Sequence, residues 1–356
     1  MRSRSGSRTA LVVLAAAVLA TAAFAAGLGS GGIAASQGAP AAIVPLAERI
    51  TTLQADRLQQ AAVEWRGGPV TTSTGETVTI LVSDSFAPEV TPEGWAEFLV
   101  GLLHGSEIGQ LTTYVAPLAE VQDICGSEAL GCYSRDRAIT LGETLPDGTT
   151  GEAVLRHEYG HHIALHRSNA PWEAIDRGPK YWASAANVCA RASRGEAVPG
   201  GRGDDYGLNP GEAWAEVYRL VDERKAGVTT VSWDIISRSF FPTEAMLQAA
   251  ERDVVEPWSD EQTSVARRAV ARGRAWWIPL STPLDGSYTI SVVLPRGGQH
   301  EVTVTAANRR TVIKRATRTG PRTRTVSGTI CGQRAPYVKI TQKGAPGPVT
   351  VTVTKP

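Results

Sequence analysis

Only four cysteines and two methionines occur among the 356 residues, and no two cysteines stand in C-x-x-C spacing. Zinc ribbons present their ligands at that spacing, so a ribbon-type structural zinc is excluded. Beyond one apolar stretch at the N-terminus, no run is long enough to span a bilayer, which rules out a polytopic membrane protein. No segment repeats at a solenoid period. Net charge is lacking too: 36 Lys/Arg against 35 Asp/Glu leave +1. A uniformly basic nucleic-acid binder is thereby excluded, and no nucleic-acid partner is expected. What remains is 42% hydrophobic and 20% charged, the composition of a globular chain with a sizeable core.

The small net charge conceals a strong asymmetry. Arg2, Arg4 and Arg8 give the first 25 residues +3, with no acid. Residues 26–282 carry 21 Lys/Arg against 33 Asp/Glu, or −12, and residues 283–356 carry 12 against only Asp285 and Glu301, or +10. An acidic body and a basic tail imply modules that face different partners.

The N-terminus reads as an export signal. Its three arginines precede the apolar run Ala10 to Phe24, and Ala23-Phe24-Ala25 fits a small-x-small cleavage site. An uncleaved anchor is the alternative, although the run is Ala-rich and short of the ~20 strongly apolar residues that a span takes. The chain is therefore expected to be secreted or extracytoplasmic, where cysteines pair by default. Four cysteines allow three pairings. Cys125 and Cys132 flank a short loop with Gly126 and Gly131, so they form the natural local bridge; Cys189 and Cys331 are left to tie the tail to the body.

The pattern along the chain predicts an α+β fold. After a signal over 1–25, residues 26–42 are Gly/Ala/Ser-rich and read as a flexible linker. A helix is expected over 43–64, from Ile43, Leu46, Ile50, Leu53 and Leu58 at helical spacing. Val70–Thr72 and Thr77–Val82 around Ser73-Thr74-Gly75 predict a hairpin, and Thr91-Pro92-Glu93 opens a helix to about Leu103. Leu111–Val115 and Arg137–Leu141 are strand candidates. From Leu284 the pattern turns to period two, in β-branched runs at Tyr288, Val302, Thr325, Tyr337 and Val349. That predicts an all-β, sandwich-like module over 283–356, small enough to need a staple such as Cys331.

His157-Glu158-Tyr159-Gly160-His161 is an H-E-x-x-H sequence. Thr149-x-x-Glu152 upstream fits a capping box that starts a helix near Thr150. On that helix His157 and His161 project one turn apart from one face, as two ligands of a single Zn²⁺ would. Glu158 lies beside them, where it can take a proton from water whose pKa the metal has lowered to about 7. Gly160 costs a helix about 1 kcal/mol against Ala, so a close-packing reason for it is expected. A catalytic site needs a third protein ligand. Asn209 and Pro210 suit the cap and first position of a second helix, with Glu212 in its first turn and Glu216 one turn on. Glu212 fits both a ligand and the acidic partner of a capping box. Glu212 and Glu216 would repel by a few tenths of a kcal/mol unless a cation faces them.

H-E-Y-G-H followed by E-A-W-A-E-V-Y resembles the gluzincin metallopeptidases, in particular the family of the anthrax lethal factor catalytic domain. That family shows an H-E-[FY]-G-H helix and a later E-x-[FW]-A-E-x-[FY] helix. The resemblance implies a zincin-like catalytic domain, here within residues 43–282, with zinc as cofactor. It makes His157, His161 and Glu212 the metal ligands, with Glu158 catalytic. Glu216 maps to a neighbour of the site and is read as orienting a ligand histidine. The family also has a Tyr in the loop before the ligand helix, whose hydroxyl stabilises the oxyanion; Tyr206 is the matching position. The likeness covers roughly residues 137–221.

His162 and His166 are also four apart, but face away from His157 and read as packing or hydrogen-bonding residues. His104 and His300 stand isolated. Two functions follow. The first is an exported zinc metalloendopeptidase that hydrolyses peptide bonds of a peptide or protein substrate. The second is a non-catalytic surface protein on a zincin scaffold, held by its basic tail to anionic cell-envelope polymers.

Overall fold

The computed structural model describes residues 63–356 apart from 229–232, 234–235 and 333. The expected signal, the linker and all but the end of the helix over 43–64 lie outside the described residues. The described part is mixed α/β with several sheets. No helix among the described residues is long and apolar enough to cross a membrane.

The first sheet has five strands in the order β1-β2-β3-β5-β4. β1 (Trp65–Thr71) and β2 (Thr77–Ser83) form the antiparallel hairpin that their turn residues predict. β3 (Thr112–Ala116) is parallel to β2 and to β5 (Arg137–Leu141), while β4 (Gly131–Ser134) runs antiparallel to β5 at the edge. Between β2 and β3 lies helix α1 (Pro92–Val100), with Thr91 accepting from the Gly94 amide and Pro92 in the first turn. It ends at Val100, short of Leu103. Helix α2 (Leu118–Cys125) links β3 to β4.

Alternation on the strands divides the core. Val78, Ile80 and Val82 of β2 and Ala138 of β5 join a large apolar cluster with Trp95 and Leu99 of α1. Ile139 and Leu141, on the other face of β5, join Val121 and Ile124 of α2 in a smaller one. Helix α3 (Gly151–Leu165) sends Leu155, Tyr159 and Ile163 into the large cluster at helical spacing. Short helices α4 (Ala174–Arg177), α5 (Lys180–Ala185) and α6 (Val188–Ser193) follow. Then come α7 (Pro210–Lys225), whose Trp214, Val217 and Tyr218 pack in the same cluster, and α8 (Glu244–Val255).

Two antiparallel sheets complete the chain. One has the order β11-β12-β8-β14-β6 and the other β10-β9-β13-β7. Ile290 and Val292 of β8 (Gly286–Val293) and Val351 of β14 (Gly347–Lys355) share one apolar cluster with Val304 of β9 (His300–Thr305) and Ile340 of β13 (Tyr337–Gln342). The remaining strands are β10 (Val312–Arg315), β11 (Thr317–Arg318) and β12 (Thr323–Ile330). The strands begin ahead of residue 283: β6 (Gln262–Val270) pairs with β14 and β7 (Ala275–Pro279) with β13. Both are edge strands, and β6 is exposed along almost its whole length, so it carries no apolar alternation.

Buried contacts tie these sheets to the helices. Lys180 is fully buried and donates to the carbonyls of Ala170 and Asp285, at 2.5 and 3.1 Å. The Asp285 amide donates to Ser184 Oγ, and Arg334 donates to the Ser184 carbonyl and Asn187 Oδ1. Cys125 is bonded to Cys132 and Cys189 to Cys331. The second bridge closes a loop with a sequence separation of 142. A Cys189→Ala/Cys331→Ala double variant is expected to lose about 2–5 kcal/mol, because the unfolded chain regains the freedom of that loop. Guanidinium unfolding measures it; a loss under ~0.5 kcal/mol would show that the polar contacts alone hold the joint.

Candidate metal centre

Helix α3 starts at Thr150, whose hydroxyl accepts from the Ala153 amide at 3.1 Å. The capping box expected at Thr149 and Glu152 is therefore displaced by one residue. Thr150 is the residue in extended conformation, so its side chain reaches the free amides. Helix α7 starts as expected at Asn209, whose Oδ1 accepts from the Gly211 amide, with Pro210 in the first turn. The Asn209 amide donates to the Tyr206 carbonyl. That leaves Glu212 without its capping-box role.

The Glu212 carboxylate instead meets the histidines. Its Oε2 lies 3.2 Å from His157 Nε2 and 3.1 Å from His161 Nε2. On the other side of the His157 ring, Nδ1 is 2.8 Å from Glu216 Oε1. An ionised carboxylate only accepts, so Nδ1 carries a hydrogen toward Glu216, and Nε2 either carries a second hydrogen toward Glu212 or turns its lone pair to a cation held between them. Two imidazole nitrogens facing one carboxylate oxygen require a positive charge between them, a proton or a cation. A four-coordinate ion with bonds of about 2.0–2.1 Å sets its ligand atoms roughly 3.3 Å apart. The observed separations match that spacing, and the two nitrogens and one oxygen suit a transition metal such as zinc.

The other expected site residues gather here as well. Tyr206 lies in a 3-10 turn, Gly203–Leu208, just before α7, and its hydroxyl donates to Glu212 Oε2 at 2.8 Å. Glu158 is buried on α3 beside the edge of the sheet. A methyl group on Gly131 of β4 would lie 2.8 Å from Glu158 Oε1 and 2.6 Å from Val154, so the bare strand makes room for this carboxylate. Tyr133, two residues along the same face of β4, stacks on the His161 ring at 6.3 Å.

Gly160 has the close-packing reason that its position in a helix calls for. A methyl there would fall 2.8 Å from Ala215 Cα and 3.2 Å from the Ala215 carbonyl oxygen. The backbones of α3 and α7 thus touch at this point, and Trp214 Nε1 donates across it to the Gly160 carbonyl at 2.7 Å. That contact sets the distance between the histidine pair and Glu212.

A buried polar network fixes both helices. Arg219 grips Glu216 Oε2 at 2.6 Å and both oxygens of Glu223 at 2.8 Å. Arg156 pairs with Asp222 at 2.7 Å. Beneath α3, Glu107 accepts from Tyr159 at 3.0 Å and pairs with Arg167 at 2.9 Å. None of Arg219, Glu107, Arg167 or Gly131 was legible as part of the site. Glu107, Arg167 and Gly131 have partners far along the chain or on another element, whereas Arg219 pairs within its own helix with Glu216 and Glu223 and reaches the site only through the contact of Glu216 with His157.

Burial sets the electrostatics and the charges then redistribute it. It disfavours the charged form of His157, but hydrogen bonds to Glu212 and Glu216 outweigh it and raise the imidazole from 6.5 to about 10. It would raise Glu216, but His157 and Arg219 take the carboxyl down to about 2. Glu212 is held well below the usual carboxylate range by both histidines despite its burial. Glu158 moves the opposite way: burial raises it, and the neighbouring histidines only partly oppose this. The site therefore keeps Glu212 and Glu216 ionised and makes Glu158 the strongest proton acceptor of the three carboxylates.

His162 and His166 form a second group with Asp136. His162 Nε2 faces the Glu107 carbonyl at 2.9 Å and so carries the hydrogen, while Tyr133 donates to its Nδ1 at 3.1 Å. His166 Nε2 lies 2.6 Å from Asp136 Oδ1, a hydrogen-bond distance. Every ring nitrogen named is satisfied without a cation.

A Gly160→Ala substitution tests the helix contact. Helix propensity alone would add about 1 kcal/mol, but overpacking against backbone costs about 1–3 kcal/mol. The expected result is a lower melting temperature and about tenfold weaker metal retention in a chelator competition. An unchanged affinity would show that α3 and α7 need not touch.

No protein-family model and no curated protein matches the chain. Among solved structures it is similar to Legionella pneumophila aminopeptidase A in complex with aspartic acid, at 10% identity and a TM-score of 0.22, over 81% of this chain and 37% of that one. It is also similar to IMPa from Pseudomonas aeruginosa in complex with an O-glycopeptide, at 9% identity and a TM-score of 0.19, over 87% of this chain and 54% of that one. The same protein in complex with T-antigen is named a metallopeptidase. The chain spans only about a third to a half of the length of these proteins. Likeness at these TM-scores carries no argument about fold or activity. The weak structural neighbours are peptidases, and this chain holds side-chain groups able to take a metal ion.

Proposed function

We propose that this chain is an exported zinc-dependent metallopeptidase, with a zincin-like catalytic domain joined to a basic β accessory module. The observation that carries the reading is the convergence of His157 Nε2, His161 Nε2 and Glu212 Oε2, with Glu158 at the next position on the same helix. Three protein ligands leave one position of a tetrahedral ion open, the arrangement of a catalytic rather than a structural site. Bound there, zinc supplies a Lewis acid that polarises a carbonyl and brings the pKa of water near neutrality.

The remaining work falls to the chain's own groups. Glu216 holds the His157 Nδ1 hydrogen and so aims Nε2 at the site. The Glu158 carboxylate takes the proton of the attacking water and passes it to the leaving nitrogen; its raised affinity for a proton suits a group that must hold one between the two steps. The Tyr206 hydroxyl, which donates to Glu212 Oε2 here, is read as the group that turns to the carbonyl oxygen as negative charge grows there.

An extended peptide fits the surroundings. β4 pairs only with β5 among the described strands, and Gly131 in it lies against Glu158. Its open edge can take a peptide as an added strand. A peptide laid along this edge would bring an internal bond to the site, the arrangement that an endopeptidase needs. Export is supported by the basic-then-apolar N-terminus and by the two disulfides. The basic module would hold the enzyme near anionic cell-envelope polymers; β10, which carries Lys314 and Arg315, is exposed along its whole length. A non-catalytic binder on the same scaffold is the competing reading.

Glu158→Gln is expected to lower peptide hydrolysis by about 10²–10⁴-fold while metal analysis still finds one zinc per chain. Chelation should abolish turnover of the unaltered protein, and zinc should restore it. Undiminished hydrolysis by the purified variant would overturn the mechanism, and an absence of zinc in both proteins would favour the binder.

A further inference from the structure

The two histidines of the candidate metal centre are held in different ways. His157 is fixed through its Nδ1, which lies 2.8 Å from Glu216 Oε1. His161 has no such clamp: among the described residues its hydrogen-bond partner is Glu212, at Nε2. A ring held at the ligating nitrogen alone can still pivot about its side-chain bonds. Its plane has to be set by what lies against its face.

Two rings border it. His157, on the same helix, meets it edge-on, with centroids 4.9 Å apart and planes at 78°. Tyr133 of β4 lies nearly parallel to it, with centroids 6.3 Å apart and planes at 21°. An offset stack of this kind is attractive and leaves the edge of the imidazole, with Nε2, free to face the site.

Tyr133 is itself tied down at both ends. Its backbone pairs with Ala138 of β5, and the preceding residue, Cys132, is bonded to Cys125 at the end of α2. Its hydroxyl donates to His162 Nδ1 at 3.1 Å and accepts from the Asp136 amide at 3.0 Å. The turn that returns this amide has Arg135 and Asp136 both in the left-handed region, with φ of 42° and 62°, as a tight hairpin turn requires. His162 is held in turn through Nε2 by the Glu107 carbonyl. β4 is thus locked to α3 at the residue next to His161.

We infer that Tyr133 is the positioning residue of His161: its ring sets the plane of the imidazole, as Glu216 sets that of His157, so that Nε2 is aimed at the site in advance of any ion. The inference rests on the reading of His161 as a metal ligand. It gives β4 a second part in the site, besides its open edge.

Tyr133→Phe keeps the ring and loses the hydroxyl, whereas Tyr133→Leu loses the ring. Zinc affinity is measured by chelator competition, and the visible spectrum of the cobalt(II)-loaded chain reports how the ligands are arranged. Tyr133→Leu is expected to weaken zinc about three- to tenfold and to change the cobalt bands; Tyr133→Phe should stay within about twofold of the unaltered chain, with its bands in place. Melting curves of the metal-free chains separate positioning from packing. A lower melting temperature of Tyr133→Leu with affinity and bands unchanged would overturn the inference. Equal losses from both variants would overturn it as well, because the effect would then belong to the hydroxyl bonds. A chain that takes up neither metal would remove the metallopeptidase reading but not the stack, which the metal-free chain then decides. With histidine labelled for NMR, the His161 ring signals are identified by their absence in His161→Asn. They should shift in Tyr133→Leu more than those of His157, and hold in Tyr133→Phe; His161 signals unmoved in Tyr133→Leu would overturn the inference.

Discussion

Contact between two helix backbones, at Gly160 of α3 and Ala215 of α7, is the constraint on which the candidate metal centre depends. A side chain of any size at residue 160 would part the helices and carry Glu212 away from His157 and His161. The helix tolerates glycine there because its loss of propensity is small beside the tertiary packing around it. Leu155, Tyr159 and Ile163 anchor α3 in the large core, and Trp214, Val217 and Tyr218 anchor α7 in the same core. The two helices that carry His157, His161 and Glu212 are thus held together by one apolar cluster.

Holding so many charges in a buried place needs compensation. Glu158, Glu216, Arg219, Asp222, Glu223 and Glu107 are all nearly inaccessible. Isolated, each would cost several kcal/mol. They occur as pairs and chains instead: Glu216 between His157 and Arg219, Asp222 with Arg156, Glu107 with Arg167. Paired charges in fixed positions also orient His157, because a ring that hydrogen-bonds through one nitrogen cannot turn the other freely. Glu158 has only the charges of His157 and His161 to oppose its burial, and it is the one carboxyl among Glu158, Glu212 and Glu216 whose net shift is upward.

The β module follows a different logic. Its core is a single apolar cluster between two antiparallel sheets, and two of its buried polar residues with unpartnered atoms, His300 and Gln342, stand opposite each other on β9 and β13. Lys180, Asp285 and Arg334 join it to the helices together with the long-range disulfide. A module held so firmly would place whatever it binds at a fixed position relative to the rest of the chain.

Local signals made much of this legible in advance. Asn209-Pro210 and Thr91-Pro92 mark helix starts because they satisfy the free amides of a first turn, whatever surrounds them. The spacing of His157 and His161 fixes their common face through helix geometry alone. Strands β8, β9, β12, β13 and β14 announce themselves by alternation, since one of their faces is buried. β6 and β7 did not, because edge strands need no buried face. The roles of Gly131 and Glu107 were equally hidden, because a buried partner is set by packing between distant segments; Arg219 pairs within its own helix, and only the reach of Glu216 to His157 brings it to the site. Whether Glu212 served a cap or a metal could not be told from its position in a first turn. Sequence determined that the ligands would lie on helices and share a face; only the tertiary approach of α3 to α7 decided that they meet, because distance between helices is set by the smallest side chain at their crossing.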